Sequence, residues 1–482
     1  MKLNAWFFGA LVTFAASAVP IAEGSFLSSC HVSGFDERVE CGMLSVPEDY
    51  ANPDGKRIDI HVVRVPAVAS AKEHDPLLFL AGGPGQAATE LVAQMAYVFR
   101  DVRRTRDLIF IDQRGTGKSN PLQCPNDDLE LVYAHLAVAD EELDLTGEIV
   151  RCAGELEANF QAYTTRNAVR DFDAVRAALG YSQFNLYGGS YGTRTGLAYL
   201  RDFPDSVRVA VLDGLAPPQV KIGLFGTSSQ HAFEKMLADC EIQTACANAF
   251  PNLRDRYRTL VDSLQNQPIT LQLRDPRSYR LANVRMTANR LNQMMFPALY
   301  SPRMRQMLPL VISEAAAGNY IPLTGLVGSF EQEPMLYLGL TLSVVCQEDI
   351  PRITDEERET EARSTFMGNM MLSNFERMCA GWPVVANEEP IDQPVVSDIP
   401  TLLLSGGLDP VTPPAWGELT ATTLSASQHY VAAAGGHTIA SHTCANRLVA
   451  QFIQDPNSTI DPSCLAETPE LPYLLNVNAS GM

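Results

Sequence analysis

The chain has no C-x-x-C pair and no G-x-x-x-x-G-K, which excludes zinc-ribbon, thioredoxin-like and phosphate-loop chemistry. Positive charge is scarce: 36 Lys and Arg stand against 56 Asp and Glu, a formal net charge of −20. No net attraction to a phosphate backbone exists at that balance, so nucleic acid is excluded as a partner. Internal repeats and low-complexity segments are absent. No stretch reaches the roughly 20 apolar residues that a bilayer crossing needs, so no membrane span is expected.

The chain does carry an amino-terminal export pattern. Lys2 precedes "AWFFGALVTFAASA" (5–18), which ends on the small-residue site Ala16-Ser17-Ala18. The flanks favour a cleaved signal peptide over 1–18, and a membrane anchor is the alternative. Export to a secreted or periplasmic location gives the ten cysteines a meaning. They fall as neighbouring couples: Cys30/Cys41, Cys124/Cys152, Cys240/Cys246, Cys346/Cys379 and Cys444/Cys464. Five local disulfides are expected on proximity, each contributing roughly 2–4 kcal/mol.

Short apolar runs that close on glycine-rich turns recur along the chain. They are "RIDIHVVRV" (57–65), "DPLLFLAGGPG" (75–85), "DLIFIDQRG" (107–115), "FNLYGGSYG" (184–192), "VRVAVLDG" (207–214), "IPTLLLSGGLDPVTP" (399–413) and "HYVAAAGGHT" (429–438). All but the first are continuous, as strands buried on both faces of a parallel sheet are. "RNAVRDFDAVRAALG" (166–180) between them has helical spacing and stops at Gly180. Strand alternating with helix predicts an α/β fold: a mostly parallel central sheet flanked by helices. The rhythm breaks over 215–395, a Met-, Leu-, Gln- and Arg-rich stretch that reads as mainly helical and shows no glycine-terminated strands. The expected organisation is a first core part over 25–214, an inserted helical cap over 215–395, and a second core part over 396–482. The tail after Cys464 has little pattern and is expected to be mobile.

Ligands of open α/β sheets sit at the carboxyl ends of the strands. There Gly188-Gly189-Ser190-Tyr191-Gly192 fits G-x-S-x-G, whose small residues permit a sharp strand-to-helix turn that exposes a serine oxygen. A serine hydroxyl needs a base. His437 follows a strand and a Gly-Gly turn, with His442 as near competitor. The base needs an orienting acid, and Asp409 closes the preceding strand, with Asp213 as its rival. Ser190, Asp409 and His437 stand in the chain order of an α/β-hydrolase triad. Tyr191, through its backbone N–H, and either Gly82 or Gly83 of "AGGPG" are the candidate oxyanion donors. Asp112 and Arg114 of "DQRGTGKS" (112–119) read as loop-pinning residues.

Taken together, "AGGPG" (81–85), "DQRGTGKS", "GGSYGTR" (188–194), "GGLDPVTP" (406–413) and "GGHT" (435–438) resemble the secreted tripeptidyl aminopeptidase and proline iminopeptidase branch of the α/β hydrolases. "YTTRNAVRDFDAVRAALGY" (163–181), "VVCQEDIP" (344–351) and "CAGWP" (379–383) agree with it, so the likeness spans nearly the whole mature chain. One departure is Ala81, where that family often has His before Gly-Gly-Pro-Gly.

The resemblance implies a serine exopeptidase that releases short peptides or single residues from free amino termini through an acyl-enzyme, without metal or organic cofactor. It makes Glu348 and Asp349 the candidates for binding the substrate's ammonium group, with ordinary surface acids as the alternative. An esterase or lipase acting on neutral acyl groups is the rival, and a cap pocket without a carboxylate facing Ser190 would favour it. A binding protein on a retired hydrolase fold would need a missing triad member, and none is missing.

Overall fold

A computed structural model describes residues 26–478, apart from 124–133, 139–141, 276–277, 331–335, 365 and 388–390. The expected signal segment and Cys124 therefore lie outside the described residues.

Among the described residues, nine strands form the central sheet: β1 (Ser28–Val32), β2 (Phe35–Pro47), β3 (Arg57–Val65), β4 (Leu77–Leu80), β5 (Leu108–Ile111), β6 (Phe184–Gly189), β7 (Val207–Asp213), β10 (Thr401–Gly406) and β11 (Ser427–Ala432). Their order is β1-β2-β3-β5-β4-β6-β7-β10-β11. From β5 to β11 every pairing is parallel, and β1, β2 and β3 join antiparallel. The antiparallel edge explains why only "RIDIHVVRV" alternates. Its outer half is exposed on one side, and its inner half, against β5, is buried apart from the half-buried Arg64. The β1–β2 hairpin was not among the expected strands, because its burial is too shallow to leave a continuous apolar run.

Each face of the sheet has its own core. Val92–Val98 and Ala445–Gln454 are helices packed on one face through Val92, Met95, Leu448 and Phe452. The other face receives helices Thr165–Ala178 and Tyr191–Asp202 through Val169, Phe172, Val175 and Leu197. Thr164 caps the first of these by accepting the Asn167 N–H, and Gly180, at φ +74°, ends it.

Between β7 and β10 lies a helix-rich insertion with a hydrophobic cluster of its own, built on Phe233, Met236, Leu291 and Val311. It also holds an antiparallel hairpin, β8 (Ile269–Arg274) with β9 (Leu281–Met286), which the sequence reading took for helix. β8 alternates apolar Ile269, Leu271 and Leu273 with polar Thr270, Gln272 and Arg274, the pattern of a half-buried strand and not the continuous apolar run that marks the core strands. The carboxyl-terminal tail is also not free. Tyr473 is buried and its hydroxyl donates to the Met236 carbonyl at 3.1 Å, while the Leu474 N–H reaches Gln306 O at 3.1 Å. Contacts this distant in sequence leave no local pattern.

Cys30–Cys41, Cys240–Cys246, Cys346–Cys379 and Cys444–Cys464 are disulfides. Cys152 is disulfide-bonded too, its expected partner being Cys124.

Candidate active site

β6 ends on Gly189, and the chain turns at Ser190 with φ +58° and ψ −126° before the helix begins at Tyr191. A non-glycine residue at positive φ is costly and persists only where its surroundings hold it. Two glycines make room. A Cβ on Gly192 would stand 2.1 Å from the Leu80 carbonyl oxygen, and one on Gly188 would stand 2.3 Å from that of Gly192. Helix and strand approach so closely that no side chain fits between them. Ser190 is then fixed from both sides of its peptide. Its N–H donates to Asp213 O at 2.9 Å, and its carbonyl accepts from the Thr193 N–H and hydroxyl at 2.8 and 2.6 Å.

Asp409 occupies the turn after β10, fully buried. Its Oδ1 accepts the Val411 and Thr412 N–H groups at 2.9 and 2.8 Å, and its Oδ2 accepts the Thr412 hydroxyl at 2.6 Å. His437, after β11, places Nδ1 2.8 Å from that same Oδ2 and 3.0 Å from Thr412 Oγ1. Burial alone would raise the Asp409 carboxyl. The neighbouring imidazole and the Thr412 donors outweigh it and hold the group below its ordinary value. Burial likewise works against a charged His437, and the Asp409 carboxylate, with help from Asp213, overrides it and keeps the imidazole above its ordinary value.

The insertion takes part here. Tyr300 accepts the His437 N–H on its carbonyl at 2.8 Å and sets its ring edge-to-face with the imidazole at 5.1 Å.

Gly82 and Gly83 lie over the nucleophile turn, a Cβ on Gly82 falling 3.2 Å from Ser190 Cβ. The Gly82 N–H already donates to Gln86 Oε1 at 3.1 Å, whereas Gly83 lines the same chamber as Ser190 and Tyr191. Of the two glycines, Gly83 is the one that fits a donor to a bound oxyanion. Tyr191 opens its helix, so its N–H has no acceptor within the helix. The chamber is small, with a cavity volume of about 70 Å³, and its walls are largely apolar, with Ala216, Val220, Ile222, Phe225 and Trp416; among the described wall residues the charged one is Lys221.

Glu348 and Asp349 do not join this group. Asp349 is fully buried, with both oxygens on Arg194 at 2.9 and 3.0 Å and further donors from Ile222 N–H and Arg352. Glu348 accepts from the Thr165 N–H and hydroxyl at 2.8 and 2.7 Å and borders a different cavity. Neither is an exposed surface acid. The capture of Asp349 by an arginine of the nucleophile helix joins residues 155 apart, which no local pattern announces. Nor do the two rivals take the triad places. His442 Nε2 accepts the Gly436 N–H, and Asp213 turns its carboxylate to other partners. Asp112 and Arg114 pin loops: Asp112 holds Thr89, Lys118 and His61, and Arg114 holds Asp171 with two bonds of 2.7 Å. Sequence reasoning missed Thr412, Gln86 and Tyr300. Asp409-x-x-Thr412 is a local turn pattern that could have been read; Tyr300 left no signal.

The fold and this constellation define a serine hydrolase of the α/β-hydrolase fold. Residues 75–287 match the family model described as alpha/beta hydrolase fold, and residues 364–464 match the one described as TAP-like protein. The chain thus has the α/β-hydrolase fold, and its residues 364–464 resemble the TAP-like family. It is similar to serine protease Hip1 of Mycobacterium tuberculosis, 28% identical over 407 residues that make up 77% of this chain and 76% of that one. Tripeptidyl aminopeptidase of Streptomyces lividans is 33% identical over 239 residues, 46% of this chain and 44% of that one. Carboxylesterase B of Mycobacterium tuberculosis is 36% identical over 281 residues, 55% and 52% of the respective chains.

Proposed function

We propose that the protein is an exported serine peptidase that releases short peptides from free amino termini. The observation that carries the catalytic part is the buried Asp409–His437 pair beside a serine held at positive φ. Ser190 Oγ attacks the scissile carbonyl carbon while His437 Nε2 takes its proton. Asp409 keeps the Nδ1 proton directed inward, so Nε2 is the free base. The developing oxyanion receives the Tyr191 and Gly83 N–H groups. The C–N bond then breaks, His437 returns the proton to the leaving amine, and the peptide acyl group stays on Ser190. Water, deprotonated by the same imidazole, releases it. The residues between β7 and β10 act as a cap over this site. Disulfides fit an oxidising compartment and support export.

Peptide substrates are supported by the likeness to serine protease Hip1 and tripeptidyl aminopeptidase. Selectivity for a free amino terminus rests on the second likeness and the TAP-like match, since Asp349 is committed to Arg194. A second reading, hydrolysis of neutral acyl esters, is favoured by the apolar chamber, which has no carboxylate among its described wall residues, and by the likeness to carboxylesterase B. One experiment separates the two. A tripeptide amide is offered with its amino terminus free and then acetylated, beside a p-nitrophenyl ester, with Ser190→Ala as blank. Cleavage of the free peptide alone, lost in the blank, is the expected result. Equal cleavage of both peptides removes the amino-terminal selectivity, and turnover of the ester alone replaces the peptidase with an esterase.

A further inference from the structure

Asp213 is the buried acid that the triad leaves over. It closes β7, is fully buried, and touches both halves of the catalytic machinery. Its backbone carbonyl accepts the Ser190 N–H at 2.9 Å. Its carboxylate accepts the Ile439 and Ala440 N–H groups at 2.9 and 2.8 Å, on the turn immediately after His437, and the Tyr187 hydroxyl at 2.8 Å from β6. Gly214, the next residue, lies against the imidazole: a Cβ there would be 3.4 Å from His437 Cε1.

We propose that Asp213 is a positioning residue that locks the Ser190 turn and the His437 turn to one strand end and sets a second negative charge behind the imidazole. The inference rests on the triad reading given above. Ser190 and His437 are 247 positions apart in sequence, and without a shared anchor their separation would follow the independent motions of two loops. A single residue that bonds both converts two loose tolerances into one. The charge matters as well. The groups facing His437 are Asp409 from the loop after β10, Asp213 from β7, Tyr300 from the insertion and His442 from the following turn. Asp409 and Asp213 are the anions among them, and both favour the imidazolium that forms when Ser190 gives up its proton. Burial pushes the Asp213 carboxyl up to about 6, against the pull of the Ala440, Tyr187 and Ile439 donors and of His437.

The test is Asp213→Asn, with Tyr187→Phe as a milder variant that removes one donor and no charge, and Ser190→Ala as control. Asparagine keeps the shape and one acceptor but turns an N–H₂ toward an amide N–H. The expected result is a fall in kcat on the order of 10²-fold, the usual cost of a displacement near 1 Å, with KM little changed. The acid limb of the pH–kcat/KM profile moves to lower pH, because His437 has lost one of its two anions; a purely structural residue would leave that limb in place. Tyr187→Phe moves it the same way and less far, and decides the matter should Asp213→Asn fail to fold. An unmoved acid limb in a folded Asp213→Asn enzyme overturns the proposal, as does a wild-type profile in Tyr187→Phe if that variant must decide. Turnover abolished in Ser190→Ala beside an unaltered Asp213→Asn refutes this inference alone; turnover retained in Ser190→Ala refutes the triad reading with it.

Discussion

Replacing Asp409 by Asn separates the shape of the site from its proton arrangement. The carboxylate has two distinct edges. Oδ1 faces the Val411 and Thr412 amides, and an asparagine oxygen can replace it without loss. Oδ2 faces His437 Nδ1 and the Thr412 hydroxyl, both of which now donate to it. An N–H₂ in that place cannot accept from either. The Thr412 hydroxyl, 3.0 Å from Nδ1, is then free to turn its own proton toward the ring. Two donors would converge on Nδ1, which must become the acceptor, so the imidazole proton moves to Nε2. That is the nitrogen required to take the Ser190 proton, and as N–H it cannot. The expected loss in kcat is on the order of 10⁴-fold, as when other triads are given the wrong tautomer, or about 5.4 kcal/mol of barrier. The two amide bonds survive, so the melting temperature should fall only slightly. The assay is kcat on the free tripeptide amide, with a thermal melt on the same preparation. A folded Asp409→Asn enzyme within tenfold of wild type would show that Asp409 does not set the imidazole proton, and the catalytic reading would fall.

Two further outcomes follow from the same geometry. His437 acts as base only when neutral, and its partners hold its pKa above the ordinary 6.5; kcat/KM should therefore climb with pH through a midpoint above 6.5, and a profile level from pH 5 to 8 would contradict a histidine base. Gly192→Ala puts a Cβ 2.1 Å from Leu80 O, about 1.2 Å inside a normal carbon–oxygen contact, so the helix must retreat from β4. It should cost roughly 1–3 kcal/mol of stability and on the order of 10²-fold in kcat, read by melting and turnover; wild-type activity in the Gly192→Ala enzyme would mean that the turn is not held as tightly as described.

What the sequence determined by itself is what depends on neighbouring residues. Buried parallel strands must be continuous apolar runs, and a turn as tight as 188–192 must be built from glycines around its serine, so both are written locally. Helix Thr165–Ala178 is legible for the same reason: its cap, its apolar face and its closing glycine all lie within 17 residues. The β8–β9 hairpin was missed because the half-buried alternation of Ile269, Leu271 and Leu273 differs from the continuous runs of the core strands and lies within a helix-rich stretch. The tail was misread because Tyr473 and Leu474 are held by residues 236 and 306.

The remaining features were decided by tertiary structure, since a polar group chooses its partner by distance in space. "QED" exposes nothing about whether Asp349 meets a substrate ammonium or the guanidinium of Arg194. Asp409 was the expected orienting acid and Asp213 its rival, both of them strand-end residues. Only the folded sheet gives His437 Nδ1 to one and turns the other toward the amides that follow it. The carbonyl of Tyr300 is likewise brought to His437 by the packing of the insertion, at a separation of 137 positions that leaves no trace in the chain.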